Sequence, residues 1–134
     1  MSGTSIVWFK TDLRVEDNET LVKAIKHSTQ IIPVYCIDLQ QFQTSSNGNR
    51  KIGSFRAHFL FESLFNLQAR LSALGSSLIV VTGKAEDTLP ALVKQFDVTK
   101  VYAKREVAAE EKQEEERVRT ALAHLRCDFE CIST

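Results

Sequence analysis

The alternation of strand-like and helix-like runs along this chain constrains its fold more than any other feature. Short, mostly apolar runs predict five strands, at residues 5–9, 30–37, 78–81, 100–103 and 128–132. Longer runs between them predict four helices, at residues 18–27, 54–74, 85–96 and 107–126. Such alternation is typical of a parallel sheet that crossover helices cover on both faces. We therefore predict an α/β fold, a doubly wound, Rossmann-like sheet of five parallel strands in the order 3-2-1-4-5.

Polar residues at the carboxyl ends of the predicted strands mark where a ligand would bind. In doubly wound sheets, ligands occupy the crevice where the strand order reverses. The order 3-2-1-4-5 brings the residues after the first strand, Arg14 and Asp17, towards those after the fourth strand. The latter are Lys104, Arg105 and Glu106. An alternative order, 2-1-3-4-5, opens the crevice between the first and third strands instead. A second interpretation of these polar groups is a set of helix caps and surface ion pairs, which imitate binding sites.

The composition predicts a single domain in a reducing compartment. A chain of 134 residues buries enough surface for an ordinary hydrophobic core. Its 17 basic and 17 acidic side chains cancel, so no bulk field attracts nucleic acid or an anionic membrane. No signal peptide or long apolar run is visible, and three cysteines cannot all pair. These features favour the cytoplasm, with an organelle or the nucleus left open. Cys127 and Cys131 lack the neighbours of a zinc site, so we expect structural thiols.

Motifs for the common enzyme chemistries are missing. The glycines form neither a dinucleotide-binding nor a phosphate-binding loop. A phosphorelay receiver needs an aspartate after the third strand, where this chain has Thr82, Gly83 and Lys84. The histidines fall in predicted helices and have no nucleophile at a recognisable spacing. The polar residues at the strand ends therefore suit holding a ligand better than attacking one, and we predict no catalytic residue and no metal site.

The two longest predicted helices carry unusual patterns. In the second helix, leucines recur at the spacing of one buried stripe: Leu60, Leu64, Leu67, Leu71 and Leu74. The same helix has more aromatic area than one sheet contact requires, in Phe55, Phe59, Phe61 and Phe65. We expect an exposed apolar patch or a self-association surface there. The fourth helix begins with a glutamate-rich run, so its first half is predicted to be solvated, and it becomes amphipathic only at Val118, Leu122 and Leu125.

A long polar segment precedes the second helix. Residues 38–53 are rich in Gln, Ser, Thr, Asn and Gly, and this length is unusual for a connection inside a compact domain. The segment is either a tolerated surface excursion or a loop that binds or docks, because long loops are often functional.

Residues 7–21, V-W-F-K-T-D-L-R-V-E-D-N-E-T-L, resemble the opening of the DNA photolyases and cryptochromes, where W-F-R-x-D-L-R-x-x-D-N is typical. Four further stretches follow in the family's order. They are I-I-P-V-Y-C-I-D, K-I-G-S-F-R-A-H-F-L-F-E-S-L, L-I-V-V-T-G-K-A-E-D-T-L-P-A-L and V-Y-A-K-R-E-V-A-A-E-E. The resemblance covers essentially the whole chain and is strongest to the DASH-type cryptochromes. One departure is Lys10, where the family usually has arginine, so a bidentate contact is not expected there.

The resemblance implies that residues 1–134 are the family's N-terminal α/β domain, which binds an antenna chromophore. That chromophore is commonly methenyltetrahydrofolate, and in some members a deazaflavin or flavin mononucleotide (FMN). Glu106 matches the carboxylate that contacts the pterin ring, with Lys104 and Arg105 adjacent, and these three are the predicted cofactor-binding residues. Arg14, Asp17 and Asn18 match the family's motif as well. For them we expect a role in shaping the first turn and in contacting a second domain.

That second domain, which is helical and holds flavin adenine dinucleotide (FAD), is missing after Thr134. The resemblance implies that the intact protein is a blue-light-driven photolyase of cyclobutane pyrimidine dimers, or a DASH-type cryptochrome photoreceptor. Its partners would be the FAD-binding domain and, through that domain, damaged DNA, with no membrane involved. This domain alone is not expected to be catalytic. The alternative is a stand-alone α/β module that binds a nucleotide or docks a protein without photochemistry.

Overall fold

A computed structural model describes residues 3–10, 13, 15, 18–37, 50–105 and 109–132. The elements follow in the order β1 (Thr4–Phe9), α1 (Glu19–His27), β2 (Gln30–Ile37), α2 (Arg50–Ala73), β3 (Ile79–Thr82), α3 (Ala85–Phe96), β4 (Val98–Lys104), α4 (Ala109–Ala123) and β5 (Asp128–Ile132). The strands form one sheet in the order β3-β2-β1-β4-β5, and every neighbouring pair is parallel. The predicted fold class and strand order are confirmed, and the alternative order is wrong.

The central strand β1 separates two apolar clusters, one on each face of the sheet. Ile6 and Trp8 face one cluster, together with residues of α3 and α4. Val7 and Phe9 face the other, together with residues of α1 and α2. Because both faces are covered, β1 is a continuous apolar run rather than an alternating one. Trp8 is 3% exposed, as expected of a core residue.

Pro33 occupies the fourth position of β2, where it pairs in register with Val7 of β1. Pairing of β2 with β3 begins only at the next residue, Val34. A proline lacks the backbone N–H that a ladder needs, so it is tolerated where a strand is not yet paired on both sides.

The beginnings of the first two helices have separate local causes. Asn18 lies just before α1, and its side-chain Oδ1 accepts a hydrogen bond from the Leu21 N–H at 3.0 Å. Helix α2 begins at Arg50, four residues before the predicted start. The predicted loop therefore ends earlier, and its residues 38–49 lie outside the described residues. A single glycine, Gly53, lowers helix stability by about 1 kcal/mol but does not end a helix this long.

The ends of α2 and α4 fall before the predicted ends because the chain turns there. After α2, the Ser76 N–H returns to the Leu71 carbonyl, and Gly75 has a φ of 84°. Leu74 lies in that turn and is 65% exposed, so the prediction that it is buried is wrong. After α4, the Cys127 N–H returns to a carbonyl of the last turn, and Arg126 has a φ of 57°. Left-handed residues of this kind end helices.

Candidate functional site

The carboxyl ends of β1 and β4 lie side by side at the centre of the sheet. Their pairing runs to Trp8 and Ala103, so Lys10 and Arg105 each lie two residues beyond the last pair. Helix α1 packs on one face of the sheet and α4 on the other, so this is the point where the strand order reverses. In folds of this class, ligands bind at that position.

The predicted cofactor-binding residues that the structure describes lie at this edge. Lys104 is half-buried, ends β4 and pairs with Ile132 of β5. Arg105 is exposed, and its backbone N–H donates to the Ile132 carbonyl at 2.8 Å. Glu106 lies outside the described residues, so its place next to these two side chains in the site stays a prediction.

Of the three predicted interface residues, the structure describes only Asn18. Asn18 is 4% exposed, and its side chain caps α1, which is a structural role at the start of the helix. Arg14 and Asp17 lie outside the described residues. Their predicted approach to the end of β4 therefore stays a prediction.

An ion pair between Lys10 and Glu115 lies beneath this edge, and sequence reasoning missed it. Lys10 Nζ is 2.9 Å from Glu115 Oε2, and each side chain is only 9% exposed. The same Nζ lies 4.5 Å from the centre of the Trp8 ring, close enough for a cation–π contact. The prediction that the first half of α4 is solvated is therefore wrong at Glu115. Its spacing from Val118 and Leu122, three and seven residues, was the available signal, because these residues share one helical face.

A second ion pair attaches α4 to its neighbour α3. Arg117 Nε donates to Glu86 Oε2 at 2.9 Å, with the arginine side chain 53% exposed. The other carboxylate oxygen of Glu86 is buried, and no hydrogen-bond partner is found for it among the described residues. Among the described residues, one buried ion pair thus joins α4 to the residue after β1, and a second joins it to α3 with only the arginine side largely exposed.

The cysteines have the properties of structural thiols. All three are free. Burial raises the pKa of the Cys36 thiol to about 11, and burial also raises the pKa of Cys127 to about 11. Burial likewise raises the pKa of Cys131. Because the thiolate is the nucleophilic form, these groups are poor nucleophiles near neutral pH.

A groove of about 710 Å³ lies between α1 and the end of β5. Its lining is partly basic and partly apolar: Asn18, Glu19, Val22, Lys23, Lys26, His27 and Ile132. Ile132 also accepts the hydrogen bond from Arg105, so the groove opens next to the end of β4. One lining residue, Lys23, pairs with Glu130 of β5, and Glu130 also pairs with Lys100 at 2.7 Å.

Helix α2 exposes large aromatic side chains. Phe59, Phe61 and Phe65 are 72%, 54% and 75% exposed. The predicted exposure of these aromatic side chains is confirmed, and the Phe55 side chain lies outside the described ones. Phe61 and Phe65 are one turn apart and line a shallow pocket with His58, whereas Phe59 points to another side of the helix.

Candidate metal sites and membrane-spanning helices are both absent from the described ranges. Within them, no group of three or more histidine, cysteine or acidic side chains is arranged to hold a metal ion. None of the helices in the same ranges is long and apolar enough to cross a membrane.

Comparison with known proteins identifies the family. The family model described as DNA photolyase matches residues 5–133. The chain belongs to the DNA photolyase family. It is 44% identical over 118 residues to the blue-light photoreceptor PHR2 of Arabidopsis thaliana, covering 88% of this chain and 26% of that protein. It is 40% identical over 122 residues to the cryptochrome DASH of Gloeobacter violaceus, covering 91% of this chain and 24% of that relative.

A solved structure agrees with these matches. The cryptochrome of Synechocystis sp. PCC6803 superposes with a TM-score of 0.88 at 37% identity, over 96% of this chain and 26% of the other. The predicted resemblance is confirmed, and the fold is that of the photolyase N-terminal domain. The chain spans about a quarter of the length of the relatives it matches.

Proposed function

We propose that this chain is the antenna-chromophore-binding domain of a DNA photolyase or DASH-type cryptochrome. The observation that carries the proposal is the position of two basic residues at the end of β4. Lys104 and Arg105 stand there beside β1, at the point where the strand order reverses, in a member of the photolyase family. Crevices at such points hold ligands in folds of this class.

Methenyltetrahydrofolate is the proposed chromophore. The carboxylate of Glu106 would accept paired hydrogen bonds from the amino and ring N–H groups of the pterin. Lys104 and Arg105, directly before it, supply positive charge for the acidic part of a folate. When bound, the antenna absorbs light and passes the excitation to a flavin, which requires position and orientation of the ring but no acid or base. A deazaflavin or FMN in the same place is the competing outcome.

The remaining functions are proposed for a longer protein. In this proposal, a helical C-terminal domain holds FAD, contacts damaged DNA and splits cyclobutane pyrimidine dimers. The lengths of the relatives support this division, because this chain matches only about a quarter of each. The domain alone would not be catalytic, and purified protein is expected to lack a stoichiometric flavin spectrum.

A protein-docking role is the second candidate. The exposed aromatic side chains Phe61 and Phe65 favour it, because exposed apolar patches mark interaction sites. Docking does not exclude antenna binding, since α2 and the end of β4 are different parts of the fold.

A titration tests the proposed chromophore and its contact. Methenyltetrahydrofolate is added to the wild type and to Glu106→Gln, and binding is followed by near-ultraviolet absorbance. We expect affinity to fall by about tenfold to a hundredfold, because a hydrogen bond to a charged group is worth about 1.5–3 kcal/mol. Glu116→Gln, on the exposed side of α4, is the control and should bind like the wild type. Identical curves for Glu106→Gln and the wild type would refute the contact between Glu106 and the pterin. Stoichiometric binding of FMN would refute methenyltetrahydrofolate as the chromophore.

A further inference from the structure

We infer that a second copy of this chain docks along the outer edge of β3 and adds its own β3 in antiparallel orientation about a two-fold axis. The surface involved, called the β3 edge below, consists of Ile79–Thr82 together with Phe61 and Phe65 of α2. No residue of the proposed chromophore site takes part, so the docking is independent of the proposed function.

Strand β3 lies at one of the two ends of the sheet. The strand order is β3-β2-β1-β4-β5, and β2 is the only strand of the described residues with which β3 pairs. An edge strand presents backbone N–H and C=O groups with which a strand from another chain can pair. Such an edge therefore suits an extended strand better than a helix or a small ligand.

The two edge strands of the sheet differ in charge. Strand β5 carries Asp128 and Glu130, and charged side chains on an edge strand discourage further pairing. Strand β3 has the sequence Ile-Val-Val-Thr, in which every residue is β-branched and none is charged. Pairing of β3 with its own copy therefore brings no like charges together. Of the two edge strands, β3 is the one suited to self-pairing.

Val80 places apolar surface of this strand on the same face of the sheet as α2. It pairs in register with Tyr35, which belongs to the apolar cluster of α1 and α2. Ile79 and Val81 pack instead against the cluster of α3 and α4. Val80 is 45% exposed, so α2 leaves this part of the edge partly uncovered.

Two exposed phenylalanines lie on the side of α2 that faces β3. The Leu78 N–H, directly before β3, donates to Gln68 Oε1 at 2.6 Å, which shows which side of the helix faces the strand. Phe61, Phe65 and Gln68 follow the spacing i, i+4, i+7, so they share that side. Helix α2 connects two parallel strands and so runs antiparallel to them. One turn back from Gln68, Phe65 therefore lies roughly level with Val80, since a turn rises about 5 Å.

A second copy suits this edge because the edge is complementary to itself. A two-fold axis through Val80 would set Val80 opposite the same residue of the second copy, and Ile79 opposite Val81. Side chains directly opposite each other then lie on one face, and β-branched pairs of this kind stabilise a sheet. The exposed phenylalanines of both copies would lie beside the axis on the α2 face. Such a contact uses the same surface on both copies and closes at a dimer.

Sedimentation velocity over a range of concentrations tests the docking. We expect the wild type to show a monomer–dimer equilibrium. Val80→Lys should raise its Kd by at least about tenfold, because two ammonium groups would meet across the axis. Val22→Lys is the matched control, because Val22 is 48% exposed on α1, and it should leave the Kd unchanged. A wild type that stays monomeric, an assembly larger than a dimer, or equal Kd values in the two variants would overturn the proposed docking.

Amide hydrogen exchange in the wild type needs no variant and tests the strand pairing. Above the Kd, exchange within Ile79–Thr82 should slow by about tenfold relative to the dilute protein, whereas exchange in β5 should stay unchanged. Association without slower exchange in β3 would mean that the phenylalanines alone make the contact, and it would overturn the strand pairing. Slower exchange in β5 alone would place the interface at the opposite edge and would also overturn it.

Discussion

Helices α4 and α2 place side chains against their polarity in opposite ways. Helix α4 carries a long acidic run, yet it buries Glu115 at 6% exposure against Lys10. Helix α2 carries surplus aromatic residues, yet it leaves Phe61 and Phe65 in solvent. Local rules fail most often at functional or strained positions. Variants on these two helices are therefore the most informative ones to make.

The largest expected effect is at the buried carboxylate of α4. Glu115→Ala removes the buried carboxylate that lies 2.9 Å from Lys10 Nζ, and we expect the free energy of unfolding to fall by about 3–5 kcal/mol. Urea denaturation measures the loss. Glu116→Ala is the control, because its side chain is 72% exposed and its carboxylate is 3.7 Å from Arg119. A loss of stability in Glu115→Ala as small as in the control would mean that the Glu115 carboxylate is solvated, as the acidic run predicts.

The second effect contrasts the two sides of α2. Leu67 is 0% exposed, so Leu67→Ala should lower the free energy of unfolding by about 2–5 kcal/mol, through lost burial and the cavity left behind. Phe65→Ala removes a larger side chain from the solvent side of the same helix, and it should change stability by less than about 0.5 kcal/mol. Both values come from denaturation curves. A substantial loss in Phe65→Ala would show that the phenylalanine packs on the domain.

A smaller effect is expected at Glu130 of β5, a partly buried carboxylate that pairs with Lys23 and Lys100. The hydrogen bond from Lys100, followed by that from Lys23, lowers the pKa of Glu130 below its ordinary value. A lowered folded-state pKa contributes stability above the unfolded value, and that stability is lost as pH falls through the folded value. The wild type should therefore lose its advantage over Glu130→Gln as pH falls below about 4. Denaturation midpoints of both proteins from pH 6 to pH 3 check this, and parallel curves would contradict it.

The smallest effect on stability accompanies a change in association. Phe61→Gln/Phe65→Gln should leave the unfolding curve within about 0.5 kcal/mol of the wild type, since both side chains are exposed. If the patch mediates self-association, the wild type will sediment faster as its concentration rises, whereas the variant will not. Val22→Gln, at an exposed apolar position on α1, is a control for surface hydrophobicity. A wild type that stays monomeric would end the self-association hypothesis.

The sequence predicted the sheet well because its signal is repeated along the whole chain. Alternating runs predict five parallel strands, and the bounds of β2, α3 and β5 agree with the prediction, but the runs alone left two strand orders open. Helix ends were less predictable, because they depend on individual turns such as the one at Gly75.

The candidate site was predicted only in part. The family motif indicated Lys104 and Arg105, which the structure places at the carboxyl edge. It did not indicate Lys10 and Glu115 as a pair, because they are 105 residues apart and only the fold brings them together. The only sign that Glu115 is buried is its spacing from Val118 and Leu122, and the surrounding acidic run obscures that sign. The geometry around Glu106 stays a prediction.

The contact between Lys10 and Trp8 has a practical consequence. The chain contains one tryptophan, so its intrinsic indole emission arises from a single location under the carboxyl edge. The indole is 3% exposed and has an ammonium 4.5 Å from its ring centre. Any event that lifts α4 from β1 should admit water to the indole and move its emission to longer wavelength. The emission wavelength of Trp8 thus reports whether α4 is packed against β1.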